Sequence, residues 1–389
     1  MTREATSLAG GGKPMFFGEL GGTFSRRGSS VGMNMLNRLP LLLLPLLLVP
    51  PALGEEVAKP TGTYASVITR RAVENENMKG GLVRVTWSEI EPEPGKFDFS
   101  RIEQQVQLLK PDMNWTLAIH GGWTSTPSRA NTQSRGNFSR RGRRPDSLAP
   151  NWLVSDFDVE TFAMSFRGNP VAMPKYWDPV VQTRLKVMLQ AVGERYRTDR
   201  LKMVYVPQMT SNGTEGHFNG VPPETLLRAT GVNPRDRNAE TKFGDLWLKA
   251  SAEATQSVLD AFPGKAVAFE VHELLGSVEI PSRLVREFQK PEYDSRVGIG
   301  MWWISGKTTY QGDLIAILKE YPGDLYGQVI GRSDQQRRFE NNDYSTVFAQ
   351  AKELGMRYIE PWNYEFENHT CDEALQEFNA SAYSMYSTE

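Results

Sequence analysis

The stretch VGIGMWWISGKTTYQGDLIAILKEYPGDLYGQVIG, residues 297–331, decides the fold. Its opening part, VGIGMWWIS (297–305), is short and apolar without polar alternation, which suits a strand buried on both faces. YQGDLIAILKEY (310–321) carries apolar residues at helical spacing, and DLYGQVIG (324–331) returns to strand character. A strand, a helix and a second strand joined by short connections form a βαβ unit. Such units build parallel sheets covered by helices.

The pattern repeats in both directions. Further strands are predicted at TYASVITRRAV (63–73), GLVRVTW (81–87), WTLAIHGGW (115–123), LKMVYVPQM (201–209), AVAFEVHELLG (266–276) and MRYIEPW (356–362). Helices are predicted over 98–110, with Asp98 or Ser100 as N-cap, and over 178–197, 241–262, 281–289, 343–355 and 371–383. Eight strand–helix units between residues 60 and 389 predict an α/β fold, a single (β/α)8 TIM barrel with long strand-exit loops. A doubly wound open sheet is the second choice. It is weakened by the lack of a Gly-rich phosphate fingerprint after the first strand.

The flanks and insertions read differently. Residues 1–32 are rich in Gly and Ser, and Arg38 is followed by LPLLLLPLLLVPPALG. Basic residues, an apolar run and the small residues Ala52 and Gly54 are the order of a secretory leader cleaved near Gly54. Residues 1–54 are therefore expected to be an extension plus signal peptide, and the mature chain to be secreted or periplasmic. Prolines interrupt the apolar run, so no stable membrane span is expected after cleavage. Cys371 is the only cysteine, so stability must come from the core rather than an intrachain disulfide. A net charge of -2 gives no basic excess of the kind that nucleic-acid binders carry. The segment 124–152 holds six arginines among Ser, Asn and Gly and reads as a solvated insertion on the third strand's exit loop.

A barrel of this type builds its active site at the C-terminal ends of its strands. Those positions hold Arg84 on the second strand, His120 and Trp123 on the third, and Gln208, Glu215 and His217 on the fourth. They hold Glu270 and His272 on the fifth, Trp302 on the sixth, Gln328 on the seventh, and Glu360 and Trp362 on the eighth. Strand residues alternate between the interior and the helix layer, so Glu270 and Glu360 are expected to point inward. Buried carboxylates need partners, and Arg84 is the candidate partner. A structural ion-pair network at the barrel top is the competing explanation. His120, His217 and His272 with Glu215 or Glu270 make a metal site only if loops bring at least two histidines to one point. No HExxH spacing is present, and no metal or other cofactor is expected.

GGLVRVTWSEIEPEPGKFDFSRIEQQVQLLK (80–110) resembles the R-x-x-W-x-x-[IL]-E-P-x-x-G-x-[FY]-D segment of barrel glycoside hydrolases, closest to the family 42 beta-galactosidase-like set. The matching residues are Arg84, Trp87, Ile90, Glu91, Pro92, Gly95, Phe97 and Asp98. Thr126–Pro127 and Trp152–Leu153 resemble the two halves of a later T-P-x-W-L motif, split by the Arg-rich insertion. The resemblance implies an acid/base Glu after the fourth strand, which falls on Glu215, and a nucleophile Glu after the seventh. Thr214 stands where the family has Asn before its Glu, with Asn212 displaced. Gln328 stands at the seventh-strand position, and an amide cannot replace a carboxylate nucleophile.

The expectation is a secreted glycoside hydrolase-like barrel that cleaves a glycosidic bond with a carboxylate pair and takes a carbohydrate as substrate or ligand. Glu215 is the expected acid/base, its pKa raised by burial, with Glu360 or Glu270 as the second carboxylate. Arg84, His120, His217, His272 and Gln328 are expected to hold sugar hydroxyls or position the carboxylates. Trp123, Trp302 and Trp362 are the expected stacking faces. The alternative is a degenerate barrel that grips a glycan without cleaving it.

Overall fold

The computed structural model describes residues 57, 59–125, 147–293 and 295–386. The expected leader in residues 1–54 and most of the Arg-rich insertion, with Thr126 and Pro127, lie outside them.

Eleven strands are found among the described residues. In chain order they are β1 (Gly62–Ala65), β2 (Gly80–Thr86), β3 (Asn114–His120), β4 (Thr124–Ser125), β5 (Thr161–Phe166) and β6 (Asn169–Pro174). There follow β7 (Leu201–Tyr205), β8 (Ala266–Glu270), β9 (Val297–Ile304), β10 (Leu325–Val329) and β11 (Tyr358–Glu360). Eight of them close into a parallel barrel in the order β1-β11-β10-β9-β8-β7-β3-β2. The expected (β/α)8 barrel is thus formed, and the strand count is the expected one. Among the described residues no helix is long and apolar enough to cross a membrane.

The alternation of side chains sorts the barrel into two cores. Tyr64, Leu82, Ala118, Met203, Tyr205, Ala266, Ala268, Trp302, Tyr326 and Tyr358 fill the interior. Their strand neighbours, such as Val83, Val267, Phe269 and Ile299, pack outward under the helices. The interior tyrosines are large, and glycines make room for them. A Cβ on Gly298 would lie 2.3 Å from the Tyr326 ring. That steric demand explains a glycine in a strand interior, where it otherwise weakens the strand.

Several predicted elements are shorter than expected. β3 stops at His120, β7 at Tyr205 and β8 at Glu270, because Gly121–Gly122 and Pro207 turn the chain and polar residues follow. The helix expected over 98–110 spans Ser100–Val106. Asp98 lies before it and accepts from the Ser100 amide at 2.9 Å rather than capping the helix as its first flanking residue. Trp87 leaves the strand for a one-turn helix, Trp87–Ile90, closed by a capping box between Thr86 and Glu89.

The helices Trp152–Ser155, Pro223–Ala229 and Asn363–Asn368 were not expected, and neither was a second sheet. β4, β6 and β5 form a separate antiparallel sheet on the exit of β3. The β5–β6 hairpin turns on Arg167 and Gly168, both at positive φ (52° and 84°), as a two-residue hairpin turn requires. The dipeptide lacks the usual Asn-Gly or Asp-Gly signature, so the sequence pattern hid the turn.

Candidate active site

The polar cluster stands on the inner-facing register of the barrel. Leu82 and Ala118 lie in the interior core, so Arg84 and His120, two residues on, emerge at its C-terminal mouth. Ala268 places Glu270 in the same way, and Tyr326 and Tyr358 place Gln328 and Glu360. The inward orientation expected for Glu270 and Glu360 is what the structure has.

Glu215 sits on the loop between β7 and the helix Pro223–Ala229, and that loop is tied down at its base. Gln208 Nε2 donates to the Thr214 carbonyl at 2.7 Å and to the Glu270 carbonyl at 2.9 Å. Gly213 has φ 80°, and its carbonyl accepts from both Gly121 N (3.0 Å) and Gln208 N (2.9 Å). A Cβ there would lie 2.3 Å from the Gly121 oxygen, so only glycine fits this crossing. The displaced Asn212 still reaches Glu215, donating from Nδ2 to Oε1 at 2.7 Å.

Three carboxylates occupy the mouth, in two kinds of environment. Glu215 keeps 21% of its side-chain surface exposed, and its Oε2 lies 3.3 Å from His217 Nε2. Burial pushes its pKa up, but His217, His272 and Asn212 together outweigh burial and hold it below the usual carboxylate value. The raised pKa expected from burial alone is therefore corrected: imidazoles and an amide donor surround this carboxylate.

Glu270 and Glu360 are fully buried. Glu270 Oε1 lies 2.9 Å from His272 Nδ1 and accepts from the Trp302 amide at 3.1 Å. Its Oε2 accepts from the Gly216 amide at 2.5 Å. Glu360 Oε1 accepts from the Tyr358 hydroxyl at 2.5 Å and the Tyr205 hydroxyl at 3.0 Å, and Gln328 Nε2 donates to Oε2. Burial raises the pKa of both carboxylates, against His272 in one case and Arg84 in the other. For His272, burial lowers the pKa, but Glu270 and Glu215 more than compensate and the net shift is upward.

Arg84 does not pair with either buried carboxylate. Its guanidinium stands 5.0 Å from the centroid of the Trp302 ring and 5.8 Å from that of Trp362, a cation–π seat. Nε and Nη2 have no hydrogen-bond partner among the described residues. Burial lowers its pKa while Glu360 and Glu215 oppose that shift. In place of the expected ion pair, two tyrosines and Gln328 supply the hydrogen bonds of Glu360.

His120 Nδ1 lies 2.8 Å from the Asn212 carbonyl, which can only accept, so Nδ1 carries the proton. Burial, helped by Arg84, lowers its pKa to about 4. The ring is therefore neutral at neutral pH, and Nε2 is left as an acceptor. Of the three expected stacking indoles, Trp302 is 4% exposed and lies against Tyr205 at 5.0 Å and His120 at 6.0 Å. Trp123 is 8% exposed and leans on Phe166 of the small sheet at 5.0 Å. Trp362 is the most open of the three, its Nε1 donating to the Val329 carbonyl at 2.9 Å.

Tyr205, Tyr358, Asn212 and Gly216 join the site without having been expected there. Tyr205 and Tyr358 share the inward parity of Glu360, which the alternation rule could have revealed. The contacts of Asn212 and Gly216 depend on the loop path and leave no trace in spacing.

The small sheet adds a wall. Ser165 N donates to the Gly220 carbonyl at 3.0 Å, bolting β5 to the Glu215 loop. Between them lies a cavity of about 310 Å³ lined by Phe166, Arg167, Ser211, Asn212, His217 and Asn219, among others.

The motif around Glu91 serves the frame rather than the mouth. Glu91 is fully buried. It accepts from Trp87 Nε1 at 2.9 Å and Gly95 N at 2.8 Å, and pairs with Arg184. Trp152 Nε1 donates to its backbone carbonyl at 2.9 Å. The motif thus ties the β2 exit to the helix Pro179–Arg195 and to residue 152.

No protein-family model matches the chain, and no curated protein matches it in sequence. Its fold is similar to that of the catalytic domain of a beta-amylase from Paenibacillus polymyxa, with TM-score 0.56 and 10% identity over 85% of this chain and 98% of that one. It is also similar to a cold-adapted beta-galactosidase from Rahnella sp. R3, with TM-score 0.50 and 9% identity over 85% of this chain and 57% of that one. At such identity the likeness is one of fold, a barrel shared with glycoside hydrolases, and it does not single out the family 42 set.

Proposed function

We propose that this chain is a carbohydrate-active barrel that hydrolyses a glycosidic bond, with Glu215 as its proton-transfer residue. The observation that supports this reading is the difference in exposure among the three mouth carboxylates: Glu215 is 21% exposed and its two companions are sealed. Glu215 alone can meet a substrate oxygen directly. Glu270, reached through His272, is the second carboxylate in preference to Glu360, whose oxygens are taken up by Tyr205, Tyr358 and Gln328. His120 Nε2 offers an acceptor to a sugar hydroxyl, and the Arg84 guanidinium, seated against Trp302 and Trp362, adds positive charge beside it. Because Glu215 is held ionised, it donates a proton best in acid. Export through the N-terminal leader belongs to the same reading.

A second reading has its own support. Gln328 replaces a carboxylate on β10, and Glu270 is buried under three hydrogen-bond partners, which suits a barrel that binds a glycan without cleaving it. One experiment separates the two: a panel of aryl glycosides and polysaccharides, assayed for cleavage and for binding, with the wild type and Glu215→Gln. Cleavage lost in the variant supports the hydrolase. Binding without cleavage by the wild type overturns it in favour of the binder.

A further inference from the structure

Glu215, His217 and His272 come together in a way that glycosidic chemistry does not require. One ligand atom from each lies within 4.8 Å of the other two. The His217 and His272 rings stand 5.0 Å apart, edge to face. Both histidines are buried, and Glu215 is partly open. Two imidazoles and a carboxylate form the donor set of an open zinc site, which leaves a fourth position for water or substrate.

The surroundings supply what His272 and Glu215 need beyond the ligand atoms themselves, while His217 Nδ1 faces the Asn219 amide at 3.3 Å, a contact that must open when Nε2 binds a metal. A metal-bound histidine usually gives its other ring N–H to a carboxylate, which fixes the tautomer and aims the free nitrogen. His272 does this: Nδ1 lies 2.9 Å from Glu270 Oε1 and 3.0 Å from Oε2, so Nε2 is the nitrogen left free. Glu270 is itself fixed by the amides of Gly216 and Trp302. Glu215 is oriented by Asn212. The 3.3 Å between His217 Nε2 and Glu215 Oε2 matches the spacing of two ligands on a tetrahedral ion, about 3.3 Å for bonds near 2 Å. His272 closes the triangle with a shift of at most about 1.5 Å, since no separation among the three ligand atoms exceeds 4.8 Å. The cavity lined by His217 and Asn212 abuts the site and offers a way in.

We infer that Glu215, His217 and His272 form a binding site for a divalent transition metal of the zinc type, with Glu270 as the positioning residue that orients His272. The site goes beyond the glycosidase reading and competes with it, because a Glu215 carboxylate bound to metal cannot deliver a proton. Zinc therefore acts as an inhibitor of any glycosidase activity the chain has.

The test is zinc titration of the full chain by calorimetry, which needs no substrate. One zinc per chain is expected. His217→Ala and His272→Ala each abolish that binding, and Glu270→Gln weakens it by about 10–100-fold, the usual effect of losing an outer-shell carboxylate. No zinc on the wild type, or the same zinc affinity in a His217→Ala/His272→Ala variant, overturns the proposal. Should His272→Ala fail to fold because Glu270 loses its partner, cobalt on the wild type gives a second readout. Intense visible bands of a four- or five-coordinate ion support the site, and the weak spectrum of the hydrated ion overturns it.

Discussion

Replacing Glu91 by Ala tests whether the W-x-x-I-E-P-x-x-G motif holds the frame or performs chemistry. The carboxylate has no exposed surface and serves three donors at once: the Trp87 indole, the Gly95 amide and the Arg184 guanidinium. Arg184 keeps only 18% of its side-chain surface exposed, so it cannot be fully rehydrated when its partner goes. Removing one member of a buried ion pair costs about 3–5 kcal/mol. The two orphaned neutral donors, counted separately, would cost about 1–3 kcal/mol each. The three share one acceptor and one cavity, so these costs overlap and do not add. About 4–5 kcal/mol is the expected total, most of it the Arg184 term. For a chain of this size that corresponds to a fall in Tm of about 8–10 °C, taking about 2 °C per kcal/mol. Urea unfolding followed by tryptophan fluorescence measures it. The double variant Glu91→Ala/Arg184→Met should recover part of the loss, since it removes the stranded cation. A loss under about 1 kcal/mol for Glu91→Ala, or no recovery in the double variant, refutes the claim that this carboxylate is the frame's staple.

Other consequences follow from the mouth. Gly213→Ala forces a left-handed residue and a 2.3 Å clash with the Gly121 oxygen, so it should destabilise the chain by about 2 kcal/mol or more and abolish carbohydrate binding, read by urea midpoint and by affinity electrophoresis. Gln328→Glu sets a second buried carboxylate against Glu360 in place of a donor. It should cost about 3 kcal/mol at neutral pH and less in acid, where one of the pair takes up a proton, and stability measured at both pH values decides it. His120 is held neutral with a pKa of about 4 in the fold but takes up a proton near 6.5 when unfolded. Its folded value lies below its unfolded one, so stability falls as the pH drops from about 6.5 toward 4. His120→Gln should flatten that limb of the stability–pH curve, and an unchanged slope would show that another group titrates there.

The barrel was readable because its evidence is periodic. Apolar strands recurring with helices between them specify a parallel closed sheet, and alternation along AVAFE and YIE specifies which glutamates turn inward. The same rule places Arg84, His120 and Gln328 at one mouth. Alternation says which way a side chain points and nothing about how deep it lies or which donors reach it. That is why Glu270 and Glu360 share a face with the expected site and yet are sealed, one by backbone amides and His272, the other by two tyrosines and Gln328. It is also why the sequence pattern points Arg84 at a buried carboxylate, whereas in the fold it sits over Trp302. Depth is set by loops, and the decisive loop is held by contacts between residues far apart in sequence, Gln208 to Glu270 and Gly213 to Gly121. Those contacts carry Asn212 and His217 to Glu215 and reverse the pKa shift that burial alone would give it. The hairpin β5–β6 escaped for a related reason: a turn at Arg167–Gly168 is conformational, fixed by two positive φ angles, and only one of its residues advertises them. Chemistry at this mouth therefore turns less on which residue types stand at the strand ends than on the loop that decides which of three carboxylates meets solvent.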